Sequence, residues 1–425
     1  MRKAAPLFLF AALFAFLSAT FAFTEDRGPS YTETKKKVVE YIRADEADRA
    51  ELADFFDRVE PLSRRDIRVW TKLIHKELYS LVEESAHEQN TDNYNRFTRS
   101  GEFFLQAAGL EMKYFYRRGG RASREGVPLF INLHGGGNSK ATNDSAYEGA
   151  KGQYSVDGCL VVPRAPKDEV LSWAIGEMQA LLDKVILESN VLRKTDPDKI
   201  YVMGYSMGGW GTLLLGPAMA DRWAAMASSA GGEHVQRANP ENLRNTPIII
   251  QIGTEDHAYK RYELSRAFAE SVKKLHEKDS KGYKINYVEH EGMGHQIPDK
   301  DSAKWLAEHT RDPYPEKVVW KPVNIPGWEV NTFYYLRTES TPQGAHIVVT
   351  RDGNTFSIER ADGISTLYIR LNGEFVDFDD PIVVTHDGKE LFNAKVEQRL
   401  KPMLDSYLER ADTSLTFTAE VKIEL

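Results

Sequence analysis

Four short segments of this chain carry side chains or backbone groups that could do chemistry. Gly204-Tyr205-Ser206-Met207-Gly208-Gly209 sets a serine among glycines. It follows an apolar run, Lys199–Met203, and precedes a helical stretch from Trp210. A serine on a tight strand-to-helix turn is held in strained dihedrals, and bulky neighbours there would clash with the adjoining strand or helix. The turn lifts the hydroxyl above the sheet, at the positive end of the next helix. His134-Gly135-Gly136-Gly137 ends another apolar run, Pro128–Leu133. Successive glycines let backbone N–H groups approach a ligand closely, which suits an oxyanion hole built from Gly135 or Gly136, with Gly137 as an alternative, and the N–H of Met207. A phosphate cradle is not indicated, because no G-x-x-x-x-G-K-[ST] pattern is present. His134 reads as a support for this loop rather than a proton carrier.

A serine is unreactive without a base, and the remaining segments supply one. The run Thr246–Gly253 ends in Gly253-Thr254-Glu255-Asp256-His257, and Ile285–Glu289 leads to Gly292-Met293-Gly294-His295. Ser206, Asp256 and His295 therefore stand just beyond the ends of successive predicted strands, where open α/β sheets build their sites. Glu255, His257 and His290 are the competing acid and bases. Glu255 is one residue out of phase with Asp256, His257 adjoins the acid too closely to receive its carboxylate, and His290 lies too near the strand end. The chemistry implied is acyl transfer through a Ser–His–Asp triad.

Elements of the right kind surround these residues. Between about 101 and 312, the apolar runs Pro128–Leu133, Cys159–Pro163, Lys199–Met203, Thr246–Gly253 and Ile285–Glu289 alternate with helical stretches such as Glu177–Leu192 and Tyr262–His276. The runs are rich in Ile, Val and Leu without strict alternation, as expected of parallel strands covered on both faces. Residues 23–100 form a charged, helical N-terminal extension. Its apolar residues recur at helical spacing (Val38, Tyr41, Ile42; Phe55, Phe56; Trp70, Ile74, Leu78), and Pro61 interrupts the pattern. Residues 313–425 open with a proline-rich linker and continue as a small β-rich domain. Asp352-Gly353, Asn372-Gly373 and Asp387-Gly388 are its hairpin signals, and its helix spans Val396–Arg410. Trp320, Trp328, Tyr334 and Tyr335 in this region are core residues unless they line a stacking face for sugars.

Residues 1–22 carry the pattern of a secretory signal peptide. Arg2 and Lys3 precede the uncharged stretch Ala4–Leu17, and Thr20 and Ala22 are the small residues of a cleavage site. An uncleaved anchor is the alternative, because the apolar run through Phe23 is nearly long enough to span a bilayer. No later stretch is apolar enough to span. Cleavage removes two of the 55 positive charges, leaving 53 against 63 acidic residues. The chain is thus expected to be acidic and exported, secreted or periplasmic. A single cysteine allows no internal disulfide, and with it no cysteine-based metal site, which favours a periplasmic setting over a disulfide-rich one. The acidic balance excludes a nucleic-acid partner. Hydrophobic residues make up 41% of the chain, which is too many for a disordered one.

The segments Leu133–Gly137, Lys199–Gly209, Gly253–Asp256 and Gly294-His295 resemble the α/β-hydrolase superfamily. More closely they resemble its phospholipase/carboxylesterase group and the secreted feruloyl-esterase, polyhydroxybutyrate-depolymerase-like and prolyl-oligopeptidase-like hydrolases. The resemblance covers residues 101–310, about half of the chain, and the order Ser, Asp, His is that of the superfamily. It implies an α/β-hydrolase fold, a mostly parallel sheet flanked by helices, with Ser206 as nucleophile and no metal or organic cofactor. The implied activity is that of a serine carboxylic-ester hydrolase on small-molecule or polysaccharide esters, feruloyl esters among them. A serine peptidase or amidase on the same triad, and a non-catalytic carbohydrate-binding protein, are the alternatives. Fewer than 100 mature residues precede the catalytic part, so there is no β-propeller of the prolyl-oligopeptidase kind, and a serine where dienelactone hydrolases use cysteine argues against their mechanism.

Overall fold

The structure, a computed structural model, describes residues 28–90, 100–170, 172–323, 325, 327–328, 330–340 and 344–425. The expected signal peptide lies outside them. No helix among the described residues is long and apolar enough to cross a membrane.

Three helices come first: α1 (Tyr31–Arg43), α2 (Glu46–Asp57) and α3 (Arg64–Gln89). Each starts on a side-chain cap. Ser30 and Asp45 accept backbone N–H bonds from Glu33 and Asp48, and Ser63 and Asp66 form a reciprocal capping box. Pro61 sits between α2 and α3, as its missing N–H requires. In α3, Trp70, Ile74, Leu78, Val82 and Ala86 are buried at intervals of four, a single stripe along the helix.

The central sheet has eight strands: β1 (Gly101–Ala107), β2 (Leu110–Arg117), β3 (Val127–Leu133), β4 (Cys159–Pro163), β5 (Thr195–Tyr205), β6 (Ala225–Ser229), β7 (Ile248–Gly253) and β8 (Ile285–His290). Their spatial order is β1-β2-β4-β3-β5-β6-β7-β8. From β4 to β8 every neighbouring pair is parallel, and β1 and β2 add an antiparallel edge. The helices are α4 (Lys140–Gln153), α5 (Met178–Arg193), α6 (Met207–Ala218), α7 (Val235–Ala238), α8 (Arg261–Lys278) and α9 (Ser302–Leu306). Every residue of β4, β6 and β7 is buried, as expected of strands covered on both faces.

Two features were not predicted. The β1–β2 hairpin turns at Ala108-Gly109, both left-handed, in the geometry usually given to Asn-Gly. Strand β6 is Ala-Met-Ala-Ser-Ser, too small and polar to read as a core strand although it lies between β5 and β7.

The C-terminal region contains β9 (Lys317–Trp320), β10 (Thr332–Phe333), β11 (Leu336–Arg337), β12 (His346–Asp352), β13 (Thr355–Asp362), β14 (Thr366–Leu371), β15 (Ile382–His386), β16 (Lys389–Ala394), α10 (Leu400–Arg410) and β17 (Ala419–Glu424). The strands form two sheets, β10-β11-β14-β17 and β16-β15-β13-β12-β9. Both Asp352-Gly353 and Asp387-Gly388 lie at hairpins as expected, the first with Gly353-Asn354 as its loop and the second with Asp387-Gly388. Asn372-Gly373 does not: β14 and β15 belong to different sheets. There the Asn372 side chain holds a local turn, accepting from Glu374 N–H and donating to Tyr314 Oη and the Thr416 carbonyl. Trp320, Trp328, Tyr334 and Tyr335 are all core residues, so they form no sugar-stacking face.

The three parts share one hydrophobic core. The stripe of α3 covers α5 and β1, and α10 packs on α2, α3 and α5. Tyr41 donates to Asp405, His75 Nδ1 pairs with the Tyr407 hydroxyl at 2.6 Å, and Leu62 N–H donates to the Gln398 carbonyl at 2.8 Å. The buried Arg311 crosslinks β5 to the segment after α10, donating to Asp198 at 2.7 Å and to both oxygens of Asp412 at 2.8 and 3.0 Å. Burial pushes the Asp412 carboxyl up, but the Arg311 charge outweighs it and holds the group below the usual carboxylate range. A carboxylate held low in the folded state contributes stability above its unfolded value of about 3.9, and this is lost as pH falls through the folded value. Urea unfolding of Arg311→Ala is expected to show a loss of about 3–5 kcal/mol at neutral pH, because Asp412 is left charged and buried.

Candidate active site

Ser206 is the hinge between β5 and α6. Its backbone sits at φ 58 and ψ −117, a conformation that L-residues avoid and that persists only where surrounding structure enforces it. Two contacts do so. The Ser206 N–H donates to the Ser229 carbonyl of β6 at 2.9 Å. On the other side, α6 presses onto the end of β3 so closely that a Cβ on Gly208 would lie 1.8 Å from the Leu133 carbonyl oxygen.

Asp256 and His295 reach this point from the last two strands of the sheet. Asp256 follows β7 and His295 follows β8, and their loops are stitched together. Glu255 N–H donates to the Met293 carbonyl at 2.9 Å, and Gly292 N–H to the Thr254 hydroxyl at 2.9 Å. His295 Nδ1 lies 2.7 Å from Asp256 Oδ2, and His295 Nε2 lies 2.9 Å from Ser206 Oγ. An ionised carboxylate only accepts, so Nδ1 carries the proton and Nε2 is free to accept from the serine hydroxyl. Burial raises the Asp256 carboxyl, but hydrogen bonds from Arg261 and then His295 outweigh it, so the group is held below its ordinary range.

The structure thus brings Ser206, Asp256 and His295 together and leaves the competitors apart. Glu255 is exposed. His257 turns outward, its Nδ1 2.8 Å from Glu263, and His290 Nε2 is engaged 3.0 Å from Gln251 Oε1.

Gly135 lies against the nucleophile: a Cβ there would be 3.2 Å from Ser206 Cβ. Met207 N–H is the first of α6, one of the donors a helix leaves without an internal partner. His134 is fully buried, and burial pushes its imidazole down to about 4. Its Nε2 accepts from Ala165 N–H at 2.9 Å, so Nδ1 carries the proton and donates to the Gly135 carbonyl at 2.6 Å. A trans peptide then points the Gly136 N–H away from His134. His134 is a support for the loop.

Several neighbours have settled roles. Trp173 is a core residue that donates to the His134 carbonyl at 3.1 Å, not a stacking platform. Asn143, the first residue of a glycosylation-type triplet, is fully buried and bonded to Asp168. Cys159 is buried beside the Tyr116 hydroxyl. Tyr205 is a clamp: its hydroxyl donates to the His295 carbonyl at 2.5 Å and accepts from Ile297 N–H at 3.0 Å. Arg261, which binds Asp256, was not singled out in the sequence. A short-range Asp–x4–Arg spacing was its only trace. A narrow pocket beside Met207 is lined by Val170, Trp173, Trp210, Leu214 and Glu233. A cleft of about 1010 Å³ lies between α3 and residues 372–379, away from Ser206, Asp256 and His295. Among the described residues, no group of three or more His, Cys, Asp and Glu could hold a metal ion.

Residues 170–311 match the model of the dienelactone hydrolase family. That match, about a third of the chain, includes Ser206, Asp256 and His295 and stops short of Gly135–Gly137. The central part of the chain is an α/β-hydrolase fold. Carboxylesterase SOBER1 of Arabidopsis thaliana is 26% identical to the chain over 137 residues, 30% of this chain and 53% of that protein. The chain therefore spans about half the length of this curated relative. Three solved structures align with about half of this chain. A thermostable esterase does so at TM-score 0.40 and 24% identity, covering 50% of this chain and 63% of its own. A ferulic acid esterase aligns at 0.37 and 13%, covering 50% and 98%. Est1E from Butyrivibrio proteoclasticus aligns at 0.33 and 16%, covering 49% and 97%.

The contact at Gly208 yields a direct test. Gly208→Ala places a methyl group inside the Leu133 carbonyl, which is backbone and cannot step aside. The variant is expected to lose more than about 2 kcal/mol of stability, or to fail to fold, as followed by circular dichroism during thermal unfolding.

Proposed function

We propose that the protein is an exported serine hydrolase that cleaves carboxylic esters through an acyl-enzyme. The observation that carries this reading is the continuous hydrogen-bonded line from Ser206 Oγ through His295 to Asp256, set on a strained strand–helix turn. The match to a hydrolase family and the similarity to a carboxylesterase support it.

The steps follow from the roles. His295 Nε2 takes the Ser206 proton as Oγ attacks the ester carbonyl carbon. Asp256 holds the imidazole with Nδ1 protonated and stabilises the imidazolium that forms. The carbonyl oxygen becomes an oxyanion, which the N–H groups of Met207 and of Gly136 or Gly135 stabilise. Collapse breaks the bond to the leaving alcohol, which receives the proton from His295. Water then attacks the acyl-enzyme by the same route, its proton passing to His295 and on to Ser206. Each cycle consumes one ester and one water and releases one acid and one alcohol.

The substrates proposed are small carboxylic esters and polysaccharide-linked acyl or feruloyl esters. The sequence of residues 1–22 supports export.

A panel of p-nitrophenyl acetate, feruloyl esters and aminoacyl amides on the purified mature protein tests the activity. Ester turnover is expected to exceed amide turnover, and Ser206→Ala is expected to lower kcat by roughly 10,000-fold or more. A variant that keeps wild-type ester hydrolysis would remove Ser206 from the mechanism. Intact-mass measurement of protein recovered from the medium or periplasm is expected to place the N-terminus at Phe23. An intact Met1 in that fraction would refute cleavage there.

A further inference from the structure

The Asp256 carboxylate serves two cationic partners. His295 Nδ1 meets Oδ2 at 2.7 Å. Arg261 spans both oxygens: its Nε lies 2.9 Å from Oδ1 and 3.0 Å from Oδ2, and its Nη2 lies 2.8 Å from Oδ1. A planar guanidinium gripping a carboxylate in this way fixes the plane of the acid as well as its position. The pair is shielded from water, with side chains 15% exposed for Arg261 and 2% for Asp256, so the guanidinium charge is poorly screened.

The guanidinium also lies 5.3 Å from the centroid of the exposed Tyr259 ring. Arg261 is the first residue of α8, where the helix macrodipole disfavours a positive charge. The chain reaches it through two consecutive non-glycine residues in the left-handed region, Tyr259 at φ 56 and Lys260 at φ 58. Strain of this kind concentrates at functional sites. Its backbone is held from the other side by Gly232, where a Cβ would lie 3.1 Å from the Arg261 Cα. The Tyr262 N–H donates back to the Asp256 carbonyl at 3.0 Å, closing the loop.

We propose that Arg261 is a positioning residue of the triad that orients the Asp256 carboxylate toward His295 and, by sharing its negative charge, limits how strongly the imidazolium is stabilised. This rests on the serine-hydrolase reading. The other titratable or charged groups around His295 do not duplicate the role. Ser206 and Tyr205 are neutral, and the Tyr205 hydroxyl is committed to the His295 and Ile297 backbone. Glu255 and His257 face solvent, with His257 held by Glu263. Asp299 binds the Tyr154 hydroxyl, and Glu291 is exposed. Glu233 is bound to Trp210, with Arg237 close by.

The test compares wild type, Arg261→Gln and Arg261→Lys, using kcat and KM for p-nitrophenyl acetate from pH 5 to 9 and the rate of fluorophosphonate labelling of Ser206. Arg261→Gln removes the charge, so the acid limb of both profiles is expected to move to higher pH by roughly half a unit or more. Its kcat should fall by about tenfold or more at unchanged KM. Arg261→Lys keeps the charge without the fork: its acid limb should stay in place while kcat falls. A folded Arg261→Gln whose limb coincides with the wild type would overturn the charge-sharing role. If Arg261→Gln does not fold, Arg261→Lys decides, and wild-type kcat in that variant would overturn the positioning role. A wild type that shows neither turnover nor labelling fails the serine-hydrolase reading itself, which sets that outcome apart.

Discussion

Helix α6 meets the end of β3 with no side chain between them. That contact, at Gly208, determines where the helix can start, and the start of the helix determines the chemistry. It places the Met207 N–H beside Ser206 and lets Gly135 lie against the serine Cβ. It also obliges residue 206 to take a backbone conformation no ordinary turn would adopt. The strain is tolerated because β3, β6 and α6 over-determine it, and β6 contributes the carbonyl that receives the Ser206 N–H.

The groups that act on the serine are held by tethers of comparable specificity. Tyr205, directly before the nucleophile, binds the backbone on both sides of the His295 turn, so the serine and the imidazole share one support. Arg261 does the same for the acid from the start of α8. His134 fixes the glycine loop by using both ring nitrogens, which its burial makes possible by keeping it neutral. Each tether is a polar group at least partly removed from water, and such groups are costly to displace because their partners would lose a hydrogen bond.

The parts on either side of the sheet brace it. The stripe on α3 covers the outer face of α5 and the β1 edge, surfaces that would otherwise be apolar and wet. Helix α10 joins that layer from the C-terminal end, and Arg311 ties β5, the strand leading to Ser206, to the segment after α10. The C-terminal aromatics Trp320, Trp328, Tyr334 and Tyr335 are buried in the core.

Much of this was legible from residue types alone. The βα alternation, the helical N-terminal extension and the glycine turns carrying Ser206, Asp256 and His295 are local patterns, encoded within a few residues of where they act. Features that depend on distant pairing were not. Strand β6 has no apolar signal of its own and becomes a strand because β5 and β7 enclose it. Asn372-Gly373 has hairpin chemistry, but the next strand pairs in another sheet. By itself, then, the sequence determined the order of elements and the residue types carried by the turns at the strand ends, because those follow from local periodicity and side-chain type. Only the tertiary structure decided that Asp256 answers to Arg261 as well as His295, and that Tyr205 clamps the base. These are contacts between loops on separate strands, and no spacing along the chain specifies which loops will meet.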